Sequence, residues 1–162
     1  MKKILSLLFL FSLINCGGIF KKDPQLLFIQ SGKTASFDGK VLRINQPSPH
    51  TLFFSDRPYR SVGHISNETF SKIWYNKKQQ NSFKKDSPNS AISYYDKNGR
   101  PYVVIIETSN LKVAKNSISY DVKILQGKLK KEMKEVSLFI DETNIIPGGQ
   151  DVDHPANWSM GN

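Results

Sequence analysis

The chain has 162 residues, a formal net charge of +9 and one cysteine, Cys16. This length accommodates one ordinary domain with one hydrophobic core. A single cysteine excludes a disulfide framework and a thiolate metal cluster. The partners that the positive charge can meet depend on the compartment in which the protein resides.

The first eighteen residues, MKKILSLLFLFSLINCGG, have the organisation of an export signal. Lys2 and Lys3 precede an apolar run, residues 4–14, that is shorter than the roughly 20 residues that span a bilayer. The run leads into residues 13–16, LINC, and here the chain resembles bacterial lipoprotein precursors. Their lipobox places Leu three residues before an obligatory Cys, and Asn15 stands where Gly, Ala or Ser is usual.

The lipoprotein resemblance implies that residues 1–15 are a signal peptide and that a diacylglyceryl group is attached to the thiol of Cys16. Residues 16–24 would then be the lipidated Cys and its tether, followed by a single β-rich domain with an irregular C-terminal tail over residues 25–162. The two or three acyl chains of such a protein, palmitate among them, hold it firmly at a membrane. The alternative is an ordinary signal peptide with an incidental cysteine.

The residue after Cys16 bears on the destination of the protein. In the best-known sorting rule for lipoproteins, Asp at this position retains the protein at the inner membrane. Gly17 occupies it here, so the resemblance favours the outer membrane of the cell envelope. The membrane is then a partner of the chain through the N-terminal lipid.

The first half of the domain has the pattern of three short strands. Residues 25–30 form an apolar run that predicts a buried strand. The Asp-Gly pair at 38–39 lies between two apolar stretches in residues 34–45 and predicts a hairpin with a type I′ turn. The two prolines in residues 46–50 predict a loop, since proline cannot donate to a strand ladder. Residues 51–55 predict a third strand.

One helix is predicted after residue 65. Ser66 can cap its N-terminus, and Glu68 lies in the first turn, where a negative charge is favourable. Phe70, Ile73 and Trp74 have the i, i+3, i+4 spacing of one apolar stripe, which is expected to face the sheet. The helix is expected to end near residue 76.

The second half of the domain begins with a polar, Lys-rich loop over residues 77–90, which Phe83 is expected to pin to the core. Strands are predicted over residues 91–95 and 102–107, joined by a hairpin at the Asn-Gly pair 98–99. Within the second of these strands, residues 103–106 (VVII) are apolar on both faces and predict a central position in the sheet.

Two alternating segments complete the sheet, and both predict half-exposed strands. The first, residues 118–125, is expected to point one set of side chains inward: Ile118, Tyr120, Val122 and Ile124. The last strand is expected to point inward Val136, Leu138 and Ile140. Residues 144–162 are rich in Gly and Pro without periodicity and predict an irregular tail. These elements predict a mainly β fold, an antiparallel β-sandwich or barrel-like sheet with one short α-helix that covers one end or one open face.

The segment after the third predicted strand contains the residue types most typical of a functional site. Asp56, Arg57, Arg60 and His64 bring a carboxylate, two guanidinium groups and an imidazole to a strand end, where binding sites often lie. The arginines could bind a carboxylate or phosphate with two hydrogen bonds. The alternative is a structural turn, in which Asp56 accepts backbone N–H bonds and Arg57 pairs locally.

A second resemblance covers residues 51–125. The strings TLFFSDRPYRSVGHIS, DSPNSAIS, VVII and SISYDVKIL are similar to an uncharacterised family of secreted prokaryotic proteins with an FSDRP motif. Ser87 stands where that family's pattern has Pro. The resemblance implies one domain and assigns no reaction.

The basic residues predict a surface for anionic partners. The net charge is +7 once the two lysines of the signal segment are removed. One lysine group is expected at one end of the sheet: Lys77, Lys78, Lys84 and Lys85. Anionic lipid, glycan or another envelope protein are the expected partners, and the export signal argues against nucleic acid. The alternative is an ordinary solvated face.

The sequence contains no motif that activates a nucleophile or cradles a phosphate, and no cofactor is expected. We therefore expect a membrane-anchored envelope lipoprotein with a non-catalytic binding or structural domain. The alternative is an envelope hydrolase or metal-dependent enzyme. It would use Asp56 and His64, or the cluster Asp151, Asp153 and His154.

Overall fold

The computed structural model describes residues 25–55, 60–76 and 83–143, and these form eight strands and one helix. The strands are β1 (Leu26–Phe37), β2 (Val41–Pro47), β3 (His50–Ser55), β4 (Val62–Ser66), β5 (Asn89–Tyr95), β6 (Pro101–Ala114), β7 (Ser117–Gln126) and β8 (Glu132–Thr143). The helix is α1 (Asn67–Trp74). The predicted signal peptide, tether and C-terminal tail lie outside the described residues.

Six of the strands close into an antiparallel barrel in the order β1-β2-β7-β6-β5-β8, with β8 pairing back onto β1. The mainly β prediction is therefore confirmed, and the sheet is a barrel and not a sandwich. Along one edge of β1, residues 32–37 pair with β2 and residues 26–29 pair with β3. The β3–β4 hairpin consequently extends the sheet away from the barrel.

One hydrophobic core contains buried side chains from every strand and from α1. The prediction that Phe70, Ile73 and Trp74 face the sheet is confirmed, since all three are buried. Phe83 is also buried and stacks on Trp74 with a centroid separation of 4.7 Å. Phe28 of β1 meets the Phe70 ring at 5.0 Å, so α1 and the segment at Phe83 cover one part of the core together.

The predicted start of the helix is confirmed. Ser66 adopts an extended conformation, and its hydroxyl accepts a hydrogen bond from the backbone N–H of Thr69 at 3.0 Å. Glu68 lies in the first turn, where a carboxylate is favourable. The helix ends at Trp74, and Tyr75 donates its hydroxyl hydrogen to the carbonyl oxygen of Leu111 at 2.5 Å. That bond attaches the helix end to β6.

Both predicted hairpins are present. The turn at residues 38–39, however, is not the type I′ turn that was expected there. Asp38 is not among the residues with positive φ, whereas Gly39 has a φ of 107°. The Asp38 carboxylate accepts the backbone N–H groups of Val41 and Lys40, which lower its pKa. A type I′ turn needs positive φ at both central residues. The turn is therefore held by the Asp38 side chain and not by a left-handed Asp-Gly pair.

Two details of the predicted strands are corrected by the structure, and the central position predicted for residues 103–106 is confirmed. The predicted loop over residues 46–50 is shorter, because β2 continues through Pro47, its last residue, and β3 begins at His50. The strand that contains residues 103–106, β6, pairs on both sides, although Val103 on its outer face is 66% exposed. Ile124 is 38% exposed, because β2 pairs with β7 only as far as Asp121. Inward alternation therefore holds for the first part of β7 and fails beyond it.

A buried polar network connects the barrel to the β3–β4 extension. The Tyr120 hydroxyl donates to Gln30 Oε1 at 2.7 Å, and Gln30 Nε2 donates to Thr51 Oγ1 at 3.0 Å. Thr51 in turn donates to Asn67 Oδ1, and Asn67 Nδ2 donates to the carbonyl oxygen of Ser48. Because buried polar groups are costly when unpaired, this chain of bonds fixes the start of β3 against the start of α1.

Candidate binding face

An apolar surface lies on the outer side of the β3–β4 extension and the adjoining part of β1. We call it the hairpin face and define it by Leu27, Ile29, Leu52, Phe54 and Val62. The strand registers place these residues side by side, because Leu27 pairs with Phe54, Ile29 with Leu52, and Phe54 with Val62. They alternate with the buried residues of the same strands, so they point away from the core.

The hairpin face contains three large apolar side chains that are exposed. Leu52 and Phe54 are each 39% exposed and Val62 is 56% exposed, while Leu27 and Ile29 are half-buried. Single exposed apolar residues need no explanation, but a contiguous group of them marks an interaction surface. The hairpin face is therefore the candidate binding site of the described residues.

The apolar row continues around the barrel. Through the strand registers Ile29 lies beside Phe139 of β8, Phe139 beside Ala91 of β5, and Ala91 beside Ile105 of β6. All four are half-buried at outward positions. With strands about 4.8 Å apart, the row from Leu52 to Ile105 extends about 19 Å along the curved surface. The hairpin face is the more exposed end of this row.

The location of the hairpin face relative to the chain start follows from the same registers. Leu26 begins β1 and pairs with Ser55 at the end of β3. Leu27 and Phe54 are therefore close to the point where residues 1–24 join the barrel.

Gly63 is the reason why β4 is not predicted from the sequence, because it occupies an inward position without an apolar side chain. Gly63 is opposite Phe53, and a Cβ atom at Gly63 would come within 2.8 Å of the Phe53 ring. The inward positions of β4 are thus Gly63 and Ile65, and its outward positions are Val62 and His64. This pattern lacks the apolar–polar alternation by which a strand is predicted.

Two of the predicted site residues lie within the described part of the chain at this location. His64 is exposed on β4 and its ring lies 5.3 Å from the ring of His50, which is exposed on β3. Arg60 is exposed and has a φ of 49°, in the left-handed region that favours glycine. Asp56 and Arg57 lie outside the described residues. The prediction that the four act together therefore stays a prediction.

The lysine prediction is described only in part. Lys84 and Lys85 are exposed and follow buried Phe83, whereas Lys77 and Lys78 lie outside the described residues. A second lysine group of the sequence follows β7 and continues into β8, and it comprises Lys128, Lys130, Lys131 and Lys134. Lys130 extends over the Tyr102 ring at 5.1 Å. Along β8, Lys134 is six residues, or about 20 Å, from the Ile140 level at which Phe28 meets Phe83. Of the described lysines, Lys84 and Lys85 therefore lie near a different level of the barrel from Lys134.

Within residues 25–55, 60–76 and 83–143, no helix has the length and hydrophobicity that crossing a bilayer requires. Over the same ranges, no set of three or more His, Cys, Asp or Glu side chains is close enough to hold a metal ion. The predicted alternative cluster of Asp151, Asp153 and His154 lies outside these ranges.

Sequence reasoning missed the hairpin face, although one signal pointed to it. The run Leu52-Phe53-Phe54 is apolar at both inward and outward positions, and such a run predicts either a strand covered on both sides or an exposed apolar face. Only the structure shows that Phe53 is buried and that its two neighbours are exposed.

Comparison with known proteins found no family model that matches the chain, and no curated protein or solved structure matches it significantly. Any function for the chain therefore has to be inferred from its own residues.

Proposed function

We propose that the chain is a lipid-anchored, non-catalytic binding domain of the cell envelope that rests on a membrane surface through the hairpin face. Cys16 is the anchor, and residues 17–24 are the tether. The observation that carries the proposal is the contiguous exposed apolar group formed by Leu52, Phe54 and Val62, at the end of the barrel where the tether joins.

The tether length supports a membrane as the occupant of this face. Only eight residues separate Cys16 from Gln25, and an extended chain of that length reaches about 30 Å. The acyl chains would therefore keep the start of β1 within one domain diameter of the lipid. Burial of apolar side chains at the interface then adds to the energy of the anchor.

The positive charge of the protein also favours binding to an anionic membrane surface. Near an anionic membrane, each basic side chain contributes about 1 kcal/mol, and the attraction fades within a Debye length. Arg60 is exposed two residues from Val62. Lys84 and Lys85 are also exposed. We expect these groups to strengthen binding at low salt.

The first experiment tests the anchor. The full precursor, expressed in a bacterium, should yield a mature chain whose first residue is an acylated Cys16. It should partition into the detergent phase of a Triton X-114 separation, and Cys16→Ser should move it to the aqueous phase. Mass spectrometry of the N-terminus provides the direct measurement. A mature N-terminus at another residue, without lipid, would contradict the proposed anchor.

The second experiment tests the hairpin face separately from the anchor. The mature chain with Cys16→Ser should sediment with vesicles of phosphatidylglycerol and phosphatidylethanolamine. The double variant Phe54→Ser/Val62→Ser should bind these vesicles at least about tenfold more weakly, because two apolar side chains no longer enter the interface. The matched control is Val103→Ser, which removes a more exposed apolar side chain from β6, on the far side of β5, β8 and β1.

In the same assay, changes of salt concentration and neutralisation of lysines separate the electrostatic contribution to vesicle binding from the apolar one. Binding should weaken between low and physiological salt, and neutralising the predicted lysine group that includes Lys84 and Lys85 should reduce it more than neutralising Lys128, Lys130, Lys131 and Lys134. Equal loss in the Val103 and hairpin-face variants would reject the hairpin face as the lipid contact. Absence of vesicle binding at low salt would leave a protein partner as the occupant and would overturn the membrane proposal.

A further inference from the structure

The hairpin face is bordered by an imidazole pair whose rings lie close enough together to bind one metal ion. His50 and His64 are both exposed at outward positions of neighbouring strands. The strand register pairs His50 with Ser66 and Leu52 with His64, which makes the two histidines diagonal neighbours. Diagonal neighbours on one face of an antiparallel pair are within reach of each other when the side chains are aromatic or long.

The separation of the rings can be compared with that of two ligands on one metal ion. A zinc ion about 2.1 Å from one nitrogen of each ring would lie about 3.2 Å from each ring centroid. The observed centroid separation is 5.3 Å. Two centroids at this separation subtend about 110° at such an ion, which is the angle of a tetrahedral site. Rotation about χ2 can present either ring nitrogen to the ion, since this torsion is broad.

The backbones that carry the two rings are held by bonds beneath them. Thr51, next to His50, is buried and joined to Gln30 and Asn67. Ser66, opposite His50, caps α1. The strands that carry the two imidazoles are therefore fixed before any ion arrives, and a preorganised site loses less entropy on binding.

We infer that His50 and His64 form a binding site for one divalent late transition-metal ion, with Zn²⁺, Ni²⁺ and Cu²⁺ as the cations it takes. Neutral imidazole suits these ions, whereas Mg²⁺ and Ca²⁺ prefer oxygen ligands. Water molecules complete the coordination, because no third His, Cys, Asp or Glu of the described residues is close enough to join the two. The inference does not depend on the anchor or on the membrane contact.

The test uses the mature chain with Cys16→Ser and without an affinity tag, so that neither a thiol nor a tag binds metal. Isothermal titration should give one site for Zn²⁺, tighter binding of Cu²⁺, and no binding of Ca²⁺. His50→Ala and His64→Ala should each weaken Zn²⁺ binding by about 100-fold, because one imidazole remains where two acted together. The double variant should be only slightly weaker than either single variant.

The third histidine of the chain supplies the matched control. His154→Ala should leave the affinity for Zn²⁺ unchanged. In proton NMR spectra, Zn²⁺ should shift the imidazole resonances of two of the three histidines. Each shifted resonance is assigned to His50 or His64 by its absence from the spectrum of the corresponding Ala variant. Unchanged affinity in both His50→Ala and His64→Ala would overturn the inference, as would loss of the site in His154→Ala. Circular dichroism of each variant verifies that these exposed substitutions preserve the fold.

Discussion

Replacement of Trp74 by Ala is expected to lower the free energy of unfolding by about 3–5 kcal/mol. The Trp74 side chain is 1% exposed, stacks on Phe83 at 4.7 Å and meets the rings of Tyr120 and Phe70 at 5.4 and 5.9 Å. Truncation to a methyl group removes these contacts and leaves a cavity between α1 and the barrel. A domain of this size has a total stability of about 5–15 kcal/mol, so the loss is a large fraction of it.

Urea denaturation followed by circular dichroism measures this change as a shift of the midpoint at constant slope. The matched control is Lys72→Ala, at an exposed position of the same helix. That substitution should change the stability by less than about 0.5 kcal/mol. A midpoint for Trp74→Ala equal to that of the control would mean that α1 does not pack on the barrel as described.

Replacement of Gln30 by Leu is expected to cost about 2–4 kcal/mol, although it adds an apolar side chain to an apolar interior. Gln30 is 1% exposed and bonds with both Tyr120 and Thr51. Its loss leaves the Tyr120 hydroxyl and one acceptor site of Thr51 without partners, and each buried unpaired group costs about 1–3 kcal/mol. The network would thereby lose its connection between the barrel and the β3–β4 extension.

A double substitution distinguishes lost hydrogen bonds from altered packing. The variant Gln30→Leu/Tyr120→Phe removes the stranded hydroxyl, so it should be more stable than Gln30→Leu alone. Urea denaturation of the two single variants and the double variant gives the coupling energy. If the two costs simply add, the bond between Gln30 and Tyr120 contributes nothing and the proposed role of the network is wrong.

The pKa of Tyr120 also predicts how the stability of the protein changes at alkaline pH. Burial raises the pKa of its phenol well above the ordinary value of 10.0, and the hydrogen bond with Gln30 lowers it only in part. The folded state therefore holds this proton more tightly than the unfolded chain does. Stability from this source is complete below pH 10 and declines as the pH rises above it. Between pH 8 and 11, the urea midpoint of unfolding should therefore fall less steeply with rising pH for Tyr120→Phe than for the unsubstituted protein.

The sequence by itself determined α1 and most of the strands of this protein, but not β4. The i, i+3, i+4 spacing of Phe70, Ile73 and Trp74 and the cap at Ser66 defined α1, because helix signals depend on residues within a few turns of each other. The Asp-Gly and Asn-Gly pairs located two hairpins for a similar reason. The alternation of Val136, Leu138 and Ile140 gave the inward face of β8, and all three are buried.

Only the tertiary structure decided which strands are neighbours. Closure of the barrel depends on β1 pairing with β8, about a hundred residues later, and on the division of one β1 edge between β2 and β3. Neither pairing has a signal in a short window of sequence, because strand register is set by contacts between distant segments. The same registers create the hairpin face from β1, β3 and β4 and bring His50 beside His64. The sequence predicts His64 as a site residue, but it predicts neither the hairpin face nor the proximity of His50 to His64.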